Sequence, residues 1–184
     1  MILEGLRHNI ARIFLRKRAA KLKRHKMLYD FASAKHIGIL CAPQDEVSTV
    51  HLKEFLHTLS RKGIKYSVFG YFNEKRIPEN FLYLKDMDFI THQDLNFLFI
   101  PKSPTVTKFI QEPFDMLINC CLFDYFPVRY MSQLSMAKCK VGIMREDESI
   151  YDLTIDIKKN KTIEYFLKNI EKYLSNLTFT IIQT

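Results

Sequence analysis

Glycine and proline are scarce, at 5 and 6 among 184 residues. So few turn formers argue against low-complexity segments and against an all-β fold of many turns. Long apolar runs are missing too. The longest mainly apolar stretches, Leu95–Pro101 and Phe114–Phe123, are far shorter than a spanning helix, and the second contains Asp115 and Asn119. The cationic N-terminus never continues into an apolar segment with a small-residue cleavage site, which argues against a secretory signal. An organelle transit peptide fits the Arg-rich, acid-poor residues 1–26 better. Their near lack of serine and their continuation as a helix into the domain count against it.

Metal-ligand spacing is also lacking. Cys41, Cys120, Cys121 and Cys139 form no C-x-x-C, and the six histidines (8, 25, 36, 51, 57 and 92) show no ligand spacing. Four cysteines in apolar segments read as free buried thiols in a reducing compartment, with adjacent Cys120 and Cys121 pointing to opposite faces of a strand. No phosphate loop follows the first strand. Cys41-Ala-Pro-Gln-Asp-Glu46 has neither G-x-G-x-x-G nor G-x-x-x-x-G-K-S/T, and Pro43 removes a backbone donor that a phosphate nest would use. Ser132 and Ser135 fall on a helix rather than in a nucleophile elbow. Neither a catalytic residue nor a cofactor nor a metal is expected, and the reading is of a soluble cytoplasmic protein.

What is present is 47% hydrophobic residues, ample for a packed core, and a charge concentrated in one place. The formal net charge is +8. Residues 1–29 hold nine cations (Arg7, Arg12, Arg16, Lys17, Arg18, Lys21, Lys23, Arg24 and Lys26) against Glu4 alone, and residues 30–184 hold 19 of each sign. Such asymmetry points to nucleic acid or an anionic surface. Ile2, Leu3, Leu6, Ile10, Ile13 and Phe14 recur at helical spacing, so residues 1–29 are expected as a basic amphipathic helix ahead of a single domain over 30–184. Its first half carries an apolar stripe that can dock, and Arg16–Lys26 is cationic nearly all round.

The remainder alternates. His36–Cys41 reads as a buried parallel strand, and Leu52, Phe55, Leu56 and Leu59 as a helix closed by Gly63. Lys65–Phe72 reads as a second strand. After a turn at Asn73–Pro78 and an apolar stretch Phe81–Leu84 come expected strands near Phe89–Ile90, Asn96–Ile100, Asp115–Cys120, Lys140–Met144 and Tyr151–Ile157. Expected helices cover Thr105–Gln111, a segment opening at Pro127, and Ile163–Leu174. The predicted fold is α/β, a three-layer, largely parallel Rossmann-like or flavodoxin-like sheet behind a basic helix. Ligands of such sheets sit beyond the carboxyl ends of the strands, where this chain offers Asp45, Glu46, Asp124, Tyr125, Arg129, Arg145, Glu146 and Asp147. These charges also suit a solvated rim. Tyr125, Phe126, Arg129 and Tyr130 make an aromatic-basic patch at one helix start.

Glu112–Ile143 resembles the strand-helix-strand unit in the N-terminal domain of heptosyltransferase-type glycosyltransferases, which implies a Rossmann-like unit. That family's Gly-rich first loop and second domain have no counterpart, so no catalytic residue transfers. Over nearly its full length the chain resembles an uncharacterised family of small bacterial proteins, a domain of unknown function. The matching segments are Ile37–Leu40, Glu112–Ile118, Phe126–Tyr130, Ala137–Gly142 and Tyr151–Asp156. That resemblance implies a shared basic helix and no activity.

Three functional expectations follow. The first is a non-enzymatic protein whose nine N-terminal cations grip the phosphates of structured RNA, ribosomal RNA in particular. With few aromatics beside them, affinity should fall about 10³–10⁵-fold between about 50 and 200 mM salt. The second is a peripheral adaptor on an anionic membrane, with Leu3, Leu6, Ile10, Ile13 and Phe14 in the acyl boundary. The third is a sugar or nucleotide binder, or degenerate glycosyltransferase-like protein, with a pocket between the loops at 42–46, 121–126 and 144–147. A protein partner is compatible with each.

Overall fold

The first strand, β1 (His36–Cys41), is apolar along nearly its whole length and buried on both faces. A strand of that kind must lie inside a sheet covered on both sides. In the computed structural model, which describes residues 2–43, 45–81, 87–145 and 150–176, β1 pairs in parallel with β2 (Lys65–Phe72) on one side and β4 (Met116–Asn119) on the other. Adding β3 (Met87–Thr91), β5 (Cys139–Ile143) and β6 (Leu153–Ile155) gives a six-stranded, all-parallel sheet of order β3-β2-β1-β4-β5-β6. This is the Rossmann order, with its topological switch between β1 and β4.

Strand alternation sends side chains to two cores. Ile37, Ile39, Met116, Ile118, Cys120 and Val141 meet α2 (Glu46–Arg61) and α5 (Ile163–Asn176) on one face. Leu40, Phe69, Leu117 and Cys121 meet α3 (Pro104–Gln111) and α4 (Phe126–Leu134) on the other. Cys120 and Cys121 therefore face opposite ways, and all four cysteines are free and buried. Gly38 lets the Phe114 ring lie against β1, since a Cβ there would stand 2.7 Å from that ring. Gly63, at φ 71°, closes α2 as its position after Arg61 and Lys62 predicts.

Three expectations are corrected here. Asn96–Ile100 is a tight loop and not a strand. The Asn96 side-chain oxygen accepts from the backbone N–H of Leu98 (2.8 Å) and Ile100 (3.0 Å), and Phe99 takes a left-handed φ of 58°. A local Asn bond of this kind offers the backbone an alternative to a ladder. The N-terminal helix, α1 (Ile2–Ala19), ends well before Lys26, and residues 20–35 continue as a strap without helix or strand. The last strand also covers only part of Tyr151–Ile157. Within the expected stretch Phe81–Leu84, residues 82–84 lie outside the described residues.

Helix α1 lies beside α4, and the strap then rounds the amino ends of the strands. Ala11 and Leu15 of α1 are buried in the α3/α4 core, while Tyr29, Phe31 and Ala34 of the strap are buried in the α2/α5 core. The strap is held by backbone bonds from Met27 N–H to the Lys138 carbonyl (3.1 Å) and from Phe31 N–H to the Leu174 carbonyl (3.0 Å). Asp115 secures its junction with β1, accepting from the N–H of Lys35 (2.9 Å) and His36 (3.2 Å) and pairing with Lys138 Nζ at 2.9 Å. The N-terminal segment thus contributes to the cores on both sheet faces. No helix among the described residues is long and apolar enough to cross a membrane.

Candidate functional site

The nine N-terminal cations divide into built-in and solvent-facing groups. Arg7 donates to the Phe97 carbonyl (2.8 Å through Nε), and its guanidinium lies over the rings of Phe97 and Phe99 at 4.1 and 4.4 Å. His8 stacks on Phe99 at 4.2 Å, so two consecutive side chains fix the start of α1 to the Asn96 loop. Arg18 donates to the Tyr130 hydroxyl at 2.6 Å. Arg24 is the most deeply engaged. Its guanidinium makes a bidentate pair with Asp152 (2.6 and 2.7 Å) and reaches the carbonyls of Ala137 (3.1 Å) and Lys138 (3.0 Å). Burial raises the Asp152 carboxyl, but the Arg24 hydrogen bonds, the Lys140 backbone N–H and the charges of Arg24 and Lys26 outweigh it and hold the group below its ordinary value.

The remaining cations face solvent. Arg12 stands 3.7 Å from Asp124, and Lys26 3.6 Å from Asp152, both with more than half of the side chain exposed. Arg16, Lys17, Lys21 and Lys23 are exposed.

The apolar stripe that periodicity marks for docking faces outward. Leu6, Ile10, Ile13 and Phe14 are 46–55% exposed. Docking instead uses Ala11 and Leu15, with the guanidinium groups of Arg7 and Arg18 bonded to the Phe97 carbonyl and the Tyr130 hydroxyl. Lys17 continues the exposed stripe one turn beyond Ile13, and Arg12 and Arg16 border it. With Leu22, Met27 and Leu28, this segment presents a concentration of exposed large apolar side chains. Apolar and cationic groups therefore share one outward surface.

The carboxyl edge of the sheet is occupied mainly by structural duties. Asp45 caps α2, accepting from the Ser48 N–H at 2.6 Å, and this hydrogen bond holds its carboxyl below the usual range. Asp124 pairs with Arg129, while Arg145 donates to the carbonyls of Cys121 (2.9 Å) and Leu122 (3.3 Å). Glu146 and Asp147 lie outside the described residues, as does the side chain of Glu46. Beyond β4, buried Asn119 donates to Ser132 (3.2 Å) and to the Tyr151 hydroxyl (2.6 Å) and accepts from the Cys121 N–H (2.9 Å). A cavity of about 320 Å³ does open at this edge, but over β1 and β2. It is lined by Ala42, Pro43, Tyr71, Phe72, Phe81 and Tyr125 among others, so Tyr125 is the one candidate ligand-edge residue that reaches it. Burial and the neighbouring Tyr125 push the Tyr71 hydroxyl up to about 12, which suits a ring-stacking wall and not an acid or base at neutral pH. Among the described residues no group of three or more His, Cys, Asp or Glu side chains could hold a metal.

Two charged residues that matter here were not singled out by sequence reasoning. Asp152 carries the only signal of its role in being an acid just ahead of a strand. Lys140 sits second in a buried strand and is itself buried, which is where an isolated lysine in an apolar run should attract notice.

The chain belongs to a family of unknown function, DUF6913, whose model matches residues 7–177. No curated protein matches it.

Proposed function

We propose that the protein attaches peripherally to an anionic lipid surface through α1 and the start of the strap, with the α/β body held above it. One observation carries this reading: Leu6, Ile10, Ile13 and Phe14 stand in solvent on a helix already anchored to the body by a different face. An interfacial helix needs an apolar stripe bordered by Lys and Arg, and α1 supplies both. Each cation near an anionic leaflet contributes about 1 kcal/mol, so Arg16, Lys17, Lys21 and Lys23 together contribute on the order of 4 kcal/mol, about a thousandfold in partitioning. The exposed side chains add their transfer from water. Phosphate contact with structured RNA would employ the same free cations, but it leaves the apolar stripe without a role.

Flotation with vesicles of phosphatidylcholine, with and without phosphatidylglycerol, tests the reading beside an RNA gel-shift series. We expect binding only to the anionic vesicles. It should be abolished by joint Ile10→Ser, Ile13→Ser and Phe14→Ser substitution and weakened by neutralising Arg16, Lys17, Lys21 and Lys23. Vesicle binding indifferent to the stripe, or RNA binding that survives its loss and outcompetes the vesicles, sinks the proposal in favour of RNA.

A further inference from the structure

A second cavity, of about 240 Å³, lies at the other end of the sheet, between the end of α1, the strap, the end of α4 and the start of β5. Its walls include Ala19, Arg24, Lys26, Gln133, Ser135 and Lys140. Lys140 is 4% exposed, and among the described residues its Nζ has one hydrogen-bond acceptor, the Gln133 carbonyl at 3.0 Å. An ammonium carries three donors, so two remain for whatever fills the cavity. Lys26 borders the same space and is only loosely engaged, at 3.6 Å from Asp152. Asp152 is already committed in bidentate fashion to Arg24 and accepts the Lys140 backbone N–H at 2.9 Å. Arg24 and Asp152 neutralise one another, so that among the described residues Lys26 and Lys140 stand on one cavity with no carboxylate beyond the one that Arg24 already holds. Ser135 is fully buried, and its hydroxyl oxygen accepts the Ala137 N–H at 3.1 Å, so among the described residues its own proton remains for donation.

We propose that this cavity is a binding site for a doubly charged tetrahedral oxyanion, a phosphate group, held by Lys140, Lys26 and Ser135. A buried ammonium is costly without an anion beside it, and a dianion balances the charges of Lys26 and Lys140. The volume is roughly eight times the about 30 Å³ share of a water molecule, enough for a phosphate with a small organic substituent. Burial first, then the charges of Arg24 and Lys26 against the opposing pull of Asp152, bring the Lys140 ammonium down to about 7. Binding an anion restores its proton, so occupation of the site takes up a proton near neutral pH. The site is independent of the stripe on α1.

The test is calorimetric titration of the full chain with sodium sulfate, which does not titrate near neutrality, and with inorganic phosphate. Sulfate should bind at pH 6.5 with proton uptake, revealed by heats that depend on the buffer's ionisation enthalpy. Affinity should weaken towards about tenfold per pH unit above 7 as Lys140 loses its proton. Lys140→Met, apolar and of similar length, should keep the fold by circular dichroism and lose at least about tenfold in affinity. Lys26→Gln, at an exposed position, should lose less and controls for any unfolding of the first variant. Free phosphate and a lipid phosphomonoester present the same chemistry. Saturating phosphate that displaces the protein from phosphatidic acid vesicles assigns a headgroup, and unaltered vesicle binding assigns a soluble ligand. Absence of sulfate and phosphate binding at tens of millimolar, or equal binding by Lys140→Met, overturns the proposal.

Discussion

Lys23 and Arg24 are neighbours in sequence with the same formal charge, and they stand in opposite circumstances. Lys23 extends into water. The Arg24 side chain is 10% exposed and makes four hydrogen bonds, two of them to a carboxylate that is itself mostly buried. The same contrast recurs along α1, where Leu15 is buried and Ile13, two residues earlier, is 54% exposed. Net charge and hydrophobic count cannot separate these partners, because both measures add residues that do different work. One set of N-terminal residues closes the fold and the other is presented outward. Fewer cations therefore face solvent than the nine that the sequence offers.

Breaking the built-in set should have the largest effect. Arg24→Met removes the bidentate partner of the Asp152 carboxylate, which keeps the Lys140 N–H, and takes one donor from each of the Ala137 and Lys138 carbonyls, a loss of about 3–5 kcal/mol for a broken buried pair. Lys23→Met should stay within about 0.5 kcal/mol. Urea unfolding of the two variants side by side reads the difference. Equal losses would mean that the strap is not seated as described.

The next largest effect is in the α1 core contact. Leu15→Ala removes a buried side chain between α1 and α4 and should cost about 2–5 kcal/mol, measured in the same way. A much smaller loss would show α1 detached in solution, with the strap alone holding the segment.

The order of strands and helices was largely legible because local rules set it. His36–Cys41 is too apolar to lie at an edge, Gly63 supplies the left-handed turn after α2, and Pro127 starts α4. The docking face of α1 was not legible. Periodicity favours Leu6, Ile10, Ile13 and Phe14, but the contact with α4 admits Ala11 and Leu15, and the guanidinium groups of Arg7 and Arg18 lie over the rings of Phe99 and Tyr130. Asn96–Ile100 misled through its apolar composition, where one side-chain carbonyl oxygen on two backbone N–H groups outweighs strand propensity. Lys140 and Asp152 come together only through the parallel pairing of β5 and β6, a long-range fact that no local pattern states.

Acid should reveal the Arg24 pair more gently. The Asp152 carboxyl is depressed below 3.8 in the folded chain. Its contribution to stability is therefore complete above the unfolded value and disappears as pH falls through the folded one. The same holds for Asp115, whose bonds to Lys138 and to the Lys35 and His36 N–H groups outweigh the upward push of burial. Wild-type stability should thus drop as pH falls below roughly 4. Arg24→Met should flatten that limb by Asp152's share while keeping the part due to Asp115. An unchanged slope in a stability-against-pH series would separate Asp152 from the pair.

The smallest change is expected at Ile13, and it is the sharpest test of the outward surface. Ile13→Gln keeps a helix-compatible side chain of similar size and removes apolar area that already touches water, so stability should move by no more than about 0.5 kcal/mol. The same substitution should reduce binding to anionic vesicles, because the transfer of that side chain into an acyl boundary is lost. A loss of stability comparable to Leu15→Ala would instead mean that the stripe is covered in solution. Ile10 and Ile13 on one helix could pack on their counterparts in a second copy, and sedimentation would then show a dimer that dissociates in the variant. Repulsion between two α1 helices dense in Arg and Lys opposes that pairing. A small stability change together with reduced vesicle binding is therefore the result that the proposed attachment predicts.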